Sequence, residues 1–168
     1  MADALRPLVA ADPDIALVGI RRGGVDVARH LHRALGLALP LAELDVAFYR
    51  DDFDRIGLHP VVGPSSVPFD LDDRHVVLVD DVLGTGRTVR AAMNELFDHG
   101  RPARITLAVL VQRRGHELPI RADVVGHALD ARHDEYVELD AATMVVRVGH
   151  RDELARADAA PRADGGER

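Results

Sequence analysis

The hydrophobic positions of this chain fall into short continuous runs separated by amphipathic or polar stretches. Continuous apolar runs of this length are typical of strands that are buried on both faces. The sequence predicts such strands at residues 15–20, 44–49, 75–79 and 105–111. Shorter apolar segments predict further strands at residues 124–125, 136–139 and 144–148.

Helical patterns lie between these runs. Residues 25–35 carry apolar side chains on one helical face and are followed by Gly36, and residues 89–97 do the same before Gly100. Residues 2–10 predict a short helix at the start of the chain. Strands that alternate with helices predict an α/β domain whose mostly parallel sheet is covered by helices on both faces.

Two segments depart from this pattern. Residues 50–69 contain several Gly, Pro and Ser residues, and a connection of this length without structure is unusual inside a domain. It predicts a flexible lid over a ligand site, with a disordered insertion or a surface hairpin as the alternatives. Residues 151–168 are charged and rich in Ala and Gly, so we expect a flexible tail after a single domain at residues 1–150.

Composition narrows the class of protein. The 168 residues suit one domain, and a hydrophobic content of 47% is enough for a core. No apolar stretch approaches the roughly 18 residues of a membrane span, and no basic and apolar leader opens the chain. The absence of Cys excludes disulfides and thiolate metal sites. We therefore expect a cytoplasmic protein without a membrane partner.

The charge pattern limits the ligand contacts. The formal net charge of −7 argues against a broad nucleic-acid surface. The chain has no Lys, which GC-rich coding explains simply, so cationic contacts must come from Arg, His or backbone N–H groups. The nine His residues lack the spacing of metal ligands and are expected at the surface.

Residues 76–88, with the sequence VVLVDDVLGTGRT, carry the clearest candidate chemistry. An apolar strand leads into two carboxylates, then into Gly84, Thr85 and Gly86, and a helix follows. Glycines let backbone N–H groups approach a ligand closely, and a helix N-terminus carries a partial positive charge. With the hydroxyl groups of Thr85 and Thr88, this turn predicts a site for a phosphate monoester.

The adjacent carboxylates of Asp80 and Asp81 refine that prediction. They would repel a phosphate, but they suit the two hydroxyls of a cis-diol or a cation that offsets their charge. The segment therefore predicts a ribose with a 5-phosphate. The alternative is a strand end capped by two Asp residues and a Gly turn. The spacing differs from that of a Walker loop and of a dinucleotide-binding turn.

This spacing is that of the 13-residue signature of type I phosphoribosyltransferases, which the chain resembles here. From about residue 18 to 126 it is similar to the PyrR family, pyrimidine-operon regulators that are also uracil phosphoribosyltransferases. The segments FYRDD at residues 48–52 and ELPIRAD at residues 117–123 carry that narrower resemblance. It implies the type I phosphoribosyltransferase fold, an α/β fold with a central mostly parallel sheet, flanking helices, a small hood and a flexible lid.

The resemblance also implies an activity and its residues. The expected reaction converts uracil and 5-phosphoribosyl-1-pyrophosphate (PRPP) to UMP and pyrophosphate, with Mg²⁺ bound through the substrate and no protein metal cage. Expected catalytic residues are Arg50, Asp80 and Asp81, although residues 50–52 could equally be a solvated turn. Uracil is expected at Gln112 and Arg113. The expected PRPP contacts are Arg21, Arg22, Asp80, Asp81, Val82, Leu83, Gly84, Thr85, Gly86, Arg87 and Thr88.

Several positions depart from the family pattern. Gly84 replaces the usual Tyr, and it lacks the carboxylate that purine phosphoribosyltransferases carry there, which disfavours a purine base. Gln112 replaces an Asp, and residues 114–116 read RGH in place of GHR. Arg22 and Gly23 stand where many members have Thr and Arg.

The start of the chain bears on a regulatory role. RNA-binding members begin with a longer helix that carries Arg and His, and this chain begins where that helix would be ending. With the negative charge, this argues against RNA attenuation. A nucleotide-sensing regulator that binds pyr mRNA or a partner protein is the alternative to the enzyme, and a purine or orotate phosphoribosyltransferase is a third reading. A homodimer is expected from the resemblance.

Overall fold

A computed structural model describes residues 1–21, 23–46, 64–132 and 134–150. Arg22, Arg50, most of the predicted lid and the predicted tail therefore lie outside the described residues. The helices are α1 (Ala2–Ala11), α2 (Gly23–Leu35) and α3 (Arg87–His99). The strands are β1 (Ala16–Ile20), β2 (Ala42–Leu44), β3 (His75–Leu83), β4 (Arg104–Arg113), β5 (Val124–Leu129), β6 (Glu135–Asp140) and β7 (Val145–His150). Within those described ranges, no helix is long and apolar enough to cross a membrane.

A five-stranded sheet in the order β2-β1-β3-β4-β5 forms the centre of the fold, and its neighbouring strands are all parallel. Strands β6 and β7 form a separate antiparallel pair. The predicted α/β class with a mostly parallel sheet is confirmed. Because the strands run in one direction, the segments that follow β1, β3 and β4 meet at the same side of the sheet, where ligands bind in such folds.

Alternating side chains of the central strands face two hydrophobic layers. Leu17 of β1 and Val77 of β3 belong to a buried cluster that contains Leu5 of α1 and Leu31 of α2. Their neighbours along the strands point to the opposite face, where they share a second cluster with Leu96 of α3. The helices thus cover both faces of the sheet, as the sequence predicts, and each cluster fixes one side of β3.

Strand β3 is longer than its apolar run. The sequence predicts an end at Val79, but the strand continues to Leu83. The reason is β4, which extends alongside it and pairs Asp80 with Val109 and Leu83 with Gln112. The two Asp residues therefore lie inside a strand, where the backbone is held by the sheet, and not in the turn after it.

The predicted strand at residues 44–49 is wrong in its start and, over the described residues, in its extent. Strand β2 begins at Ala42 and ends at Leu44, level with the end of β1, because Ala42 pairs with Val18 and Leu44 with Ile20. The backbone N–H of Asp45 donates to the Ser65 hydroxyl at 3.1 Å and no longer belongs to the ladder. Residues 47–49 lie outside the described residues.

Candidate active site

The carboxylates of the β3 end are held in different surroundings. Asp80 is buried, with 4% of its surface exposed, and its Oδ1 accepts a hydrogen bond from the Asp81 backbone N–H at 3.0 Å. Asp81 is half-buried. An anionic side chain this close to the core is costly unless it is hydrogen-bonded. A buried, locally bonded carboxylate beside a more accessible one is suited to bind hydroxyl groups.

The start of α2 lies directly against these carboxylates. A Cβ at Gly24 would sit 2.6 Å from the Val79 carbonyl oxygen and 2.9 Å from the Asp80 Cα, and a Cβ at Gly23 would collide with the Asp81 carboxylate. Residues without side chains are therefore needed at both positions for this close approach. Two segments that the sequence places in the site, after β1 and at the end of β3, are in fact adjacent.

The turn between β3 and α3 depends on a glycine in the left-handed region. Gly86 has φ +93° and caps α3 at its N-terminus, and it provides no side-chain cap. The Thr85 hydroxyl accepts the Arg87 backbone N–H at 3.3 Å, which tightens the turn. The positive end of the α3 dipole therefore faces this turn, an arrangement that favours an anion.

A second loop supports this turn from the end of β4. The Thr85 carbonyl accepts the backbone N–H groups of Glu117 and Leu118, both at 3.1 Å, and the ring Nδ1 of His116 lies 2.9 Å from the Gly84 carbonyl oxygen. The sequence predicts no role in the site for these residues, since contacts between residues about 30 positions apart leave no local pattern in a single sequence. The turn between β3 and α3 is therefore held in place by the loop after β4 as well as by its own hydrogen bonds.

Two of the arginines that the sequence places in the site, Arg21 and Arg87, have acidic partners. Arg21 donates from Nε to Glu43 at 3.1 Å and lies 3.7 Å from Asp45 through Nη1. Arg87 donates to the Glu117 carboxylate from Nε at 3.1 Å and from Nη2 at 2.7 Å. Arg21 therefore extends toward the end of β2, and Arg87 toward the β4 loop.

The predicted base contacts lie at the end of β4. Gln112 is opposite Leu83 on one side and Ala128 on the other. Arg113 donates to the Arg132 carbonyl at 3.1 Å, and its Cδ would lie 3.5 Å from a Cβ at Gly84. The aliphatic part of Arg113 therefore runs beside Gly84, so the end of β4 lies next to the turn between β3 and α3.

The remaining predicted contact residues differ in which of their groups are accessible to a ligand. Leu83 is 1% exposed and packs in the core cluster of α3, so only its backbone is available to a ligand. Val82 and Thr88 are half-buried. Arg22 and Arg50 lie outside the described residues. In the part of the chain that the structure describes, no group of three His, Cys, Asp or Glu residues is arranged to hold a metal ion.

Comparison with known proteins agrees with this architecture. The phosphoribosyl transferase domain family matches residues 8–137. A "Bifunctional protein PyrR" from Nitrosococcus oceani is 60% identical over 126 residues, which are 74% of this chain and 71% of that protein. One from Pseudomonas paraeruginosa is 60% identical over 122 residues, or 73% of this chain and 72% of that protein.

A solved structure supports the fold alone. A hypoxanthine phosphoribosyltransferase from Trypanosoma cruzi superposes with a TM-score of 0.69 and covers 95% of this chain and 88% of its own. The two sequences are 20% identical. At this level of identity, the similarity supports a shared fold but does not indicate which base this chain binds.

Proposed function

Because the chain belongs to the phosphoribosyltransferase family and, within it, to the PyrR proteins, we propose that it transfers the phosphoribosyl group of PRPP to uracil. The products are UMP and pyrophosphate. The observation that carries this proposal is the close approach of α2 to the acid pair, with Gly23 against the Asp81 carboxylate and Gly24 against the backbone at Val79 and Asp80. This approach supports the proposal, because it brings the segment after β1 next to the acids that would bind the ribose, at the edge of the sheet where ligands bind in such folds.

The donor would be bound in three parts. The carboxylates of Asp80 and Asp81 accept hydrogen bonds from the ribose hydroxyls, and the turn from Gly84 to Thr88 binds the 5-phosphate at the positive end of α3. The leaving pyrophosphate lies against the segment after β1, with Arg21 and Arg22 offsetting its charge. Arg21 would then share its guanidinium between Glu43 and the pyrophosphate.

The base would be bound where β4 ends. Gly84 presents no carboxylate to a purine ring, and the stem of Arg113 runs beside it. The missing carboxylate favours a pyrimidine. Arg113 and Gln112 carry the polar groups at this end of the site and would hydrogen-bond the uracil carbonyl and N–H groups.

Phosphoribosyltransferases generally use Mg²⁺ together with PRPP, and the donor set here fits that ion, because carboxylate and phosphate oxygens are the ligands it prefers. The ion would neutralise the leaving pyrophosphate as the C1 bond breaks. The sugar passes through an oxocarbenium-like state. Asp80 and Asp81 hold the ring during this step, and exclusion of water by a closed lid, with Arg50 at its start, would prevent hydrolysis of the donor.

A panel of bases tests the proposal. Purified protein with PRPP and Mg²⁺ is incubated separately with uracil, orotate, hypoxanthine and guanine, and nucleotide and pyrophosphate are quantified. UMP as the main product supports the proposal. No UMP above a control without protein would refute it, and IMP or GMP as the main product would transfer the assignment to a purine enzyme.

The name of the relatives favours a second function, because it describes them as bifunctional. The resemblance implies regulation of pyrimidine genes through RNA, against which the net charge of −7 argues. A gel-shift assay with pyr leader RNA at several salt concentrations separates the two roles. A specific shift that weakens with salt supports the regulator, and its absence at low salt opposes it.

A homodimer, a cytoplasmic location, a small hood and a single domain at residues 1–150 stay predictions.

A further inference from the structure

The proposed 5-phosphate site at Gly84–Thr88 is called the phosphate turn here, and the carbonyl groups of its first two residues point toward the loop after β4. The Gly84 carbonyl lies 2.9 Å from the His116 ring Nδ1, and the Thr85 carbonyl accepts N–H groups from Glu117 and Leu118, each at 3.1 Å. A carbonyl oxygen only accepts hydrogen bonds, so the Nδ1 of His116 must carry the proton. Both peptide groups at the centre of the turn are thus oriented by one loop.

This orientation determines where the amide protons of the turn point. A peptide group is planar and trans, so its N–H points opposite to its C=O. Binding of the Gly84 carbonyl by His116 turns the Thr85 N–H away from the β4 loop, and binding of the Thr85 carbonyl does the same for Gly86. Those two N–H groups therefore face the other side of the turn, where consecutive amides form an anion-binding concavity.

We propose that His116 is a positioning residue, whose ring holds the Gly84 peptide so that the Thr85 N–H is oriented toward the 5-phosphate of the donor. It acts through the turn and does not touch the substrate. This inference rests on the proposed binding of a ribose 5-phosphate group. Gly115, with φ +99° and open space around it, gives the loop the bend that brings His116 to the turn.

The role of the His116 side chain can be separated from that of its neighbours. Glu117 and Leu118 support the turn through backbone N–H groups, which a side-chain substitution leaves in place. His116 is exposed, so its replacement removes one hydrogen bond without opening the core. Asn can offer an amide N–H near the position of Nδ1, whereas Ala offers none.

The test compares His116→Ala, His116→Asn and His99→Ala with the wild type. His99 is a control at the opposite end of α3 from the phosphate turn. Calorimetry measures the Kd for ribose 5-phosphate, steady-state kinetics give kcat and KM for PRPP and uracil, and thermal unfolding checks the fold. We expect His116→Ala to raise the Kd and the PRPP KM about three- to tenfold. Uracil KM, kcat and Tm should stay near the wild-type values, and His116→Asn should recover most of the loss.

Three other results would overturn the positioning role of His116. If the wild type binds ribose 5-phosphate and His116→Ala binds it equally well, the positioning role is wrong while the proposed donor site stands. If His116→Ala and His116→Asn weaken the binding of ribose 5-phosphate equally, an N–H donor at this position does not strengthen binding, and the positioning role is also overturned. If the wild type binds neither ribose 5-phosphate nor PRPP, the proposed function fails and this inference fails with it.

Discussion

The Gly23→Ala substitution should weaken donor binding while leaving the protein stable. A Cβ at this position would lie 2.5 Å from the Asp81 Cγ. Since carbon atoms pack at 3.5–4.0 Å, the carboxyl group must retreat by about 1 Å. A shift of that size breaks a hydrogen bond, and one to a charged group is worth about 1.5–3 kcal/mol. PRPP binding should therefore weaken about 10- to 150-fold.

The matched variant Gly24→Ala separates this effect from a loss of stability. Its Cβ would meet the Val79 carbonyl oxygen at 2.6 Å and the Asp80 Cα at 2.9 Å, which are backbone atoms of the central sheet and cannot rotate away. It should lower the free energy of unfolding by about 1–3 kcal/mol. Gly23→Ala should change it by less than about 1 kcal/mol, because the half-buried Asp81 side chain can move.

Calorimetric titration with PRPP and Mg²⁺, together with urea unfolding, measures both quantities for the two variants. If Gly23→Ala is as stable as the wild type and binds PRPP with the same Kd, the Asp81 carboxylate does not contact the sugar. The close approach of α2 to Asp81 would then play no part in donor binding.

Two further predictions concern the ends of the sheet. Burial, followed by the nearby Arg104, lowers the pKa of His75 from its ordinary value of 6.5; the unfolded chain therefore binds a proton first, and stability should fall as the pH drops below about 6.5. Thermal unfolding between pH 7.5 and 5.5 should show a smaller decrease in His75→Gln, and an identical decrease would contradict the assignment. Arg113→Ala should raise the uracil KM about tenfold with the PRPP KM unchanged, and an unchanged uracil KM would exclude Arg113 from the base site.

The sequence predicts the layers of this fold well because each apolar run indicates, without reference to the rest of the chain, that its segment is buried. The strands through Leu17 and Val77 and the helix through Leu96 have the patterns of elements that pack on both faces of a sheet. The ends of strands are harder to predict, because they depend on a partner. β3 continues past Val79 only because β4 pairs with it, and the carboxylates of Asp80 and Asp81 give no local sign of a strand.

In the candidate site, too, local features can be predicted from the sequence, whereas contacts between distant residues cannot. The signature segment predicts the acids and the phosphate turn from local composition, and in the structure the acids lie against the glycines at the start of α2. The contact of His116 with Gly84 and the ion pair of Arg87 with Glu117 join residues about 30 positions apart. Such contacts follow from the register of β3 against β4, which only the folded chain reveals.

The most direct test of the account is calorimetric titration of PRPP with Mg²⁺ into the wild type and into an Asp80→Asn, Asp81→Asn double variant of verified fold. Each Asn keeps the size of the side chain and removes its charge, so the comparison isolates the carboxylates. We expect the wild type to bind the donor at least about 100-fold more tightly, from two lost charged hydrogen bonds. Equal Kd values for the two proteins would contradict the claim that this acid pair binds the sugar.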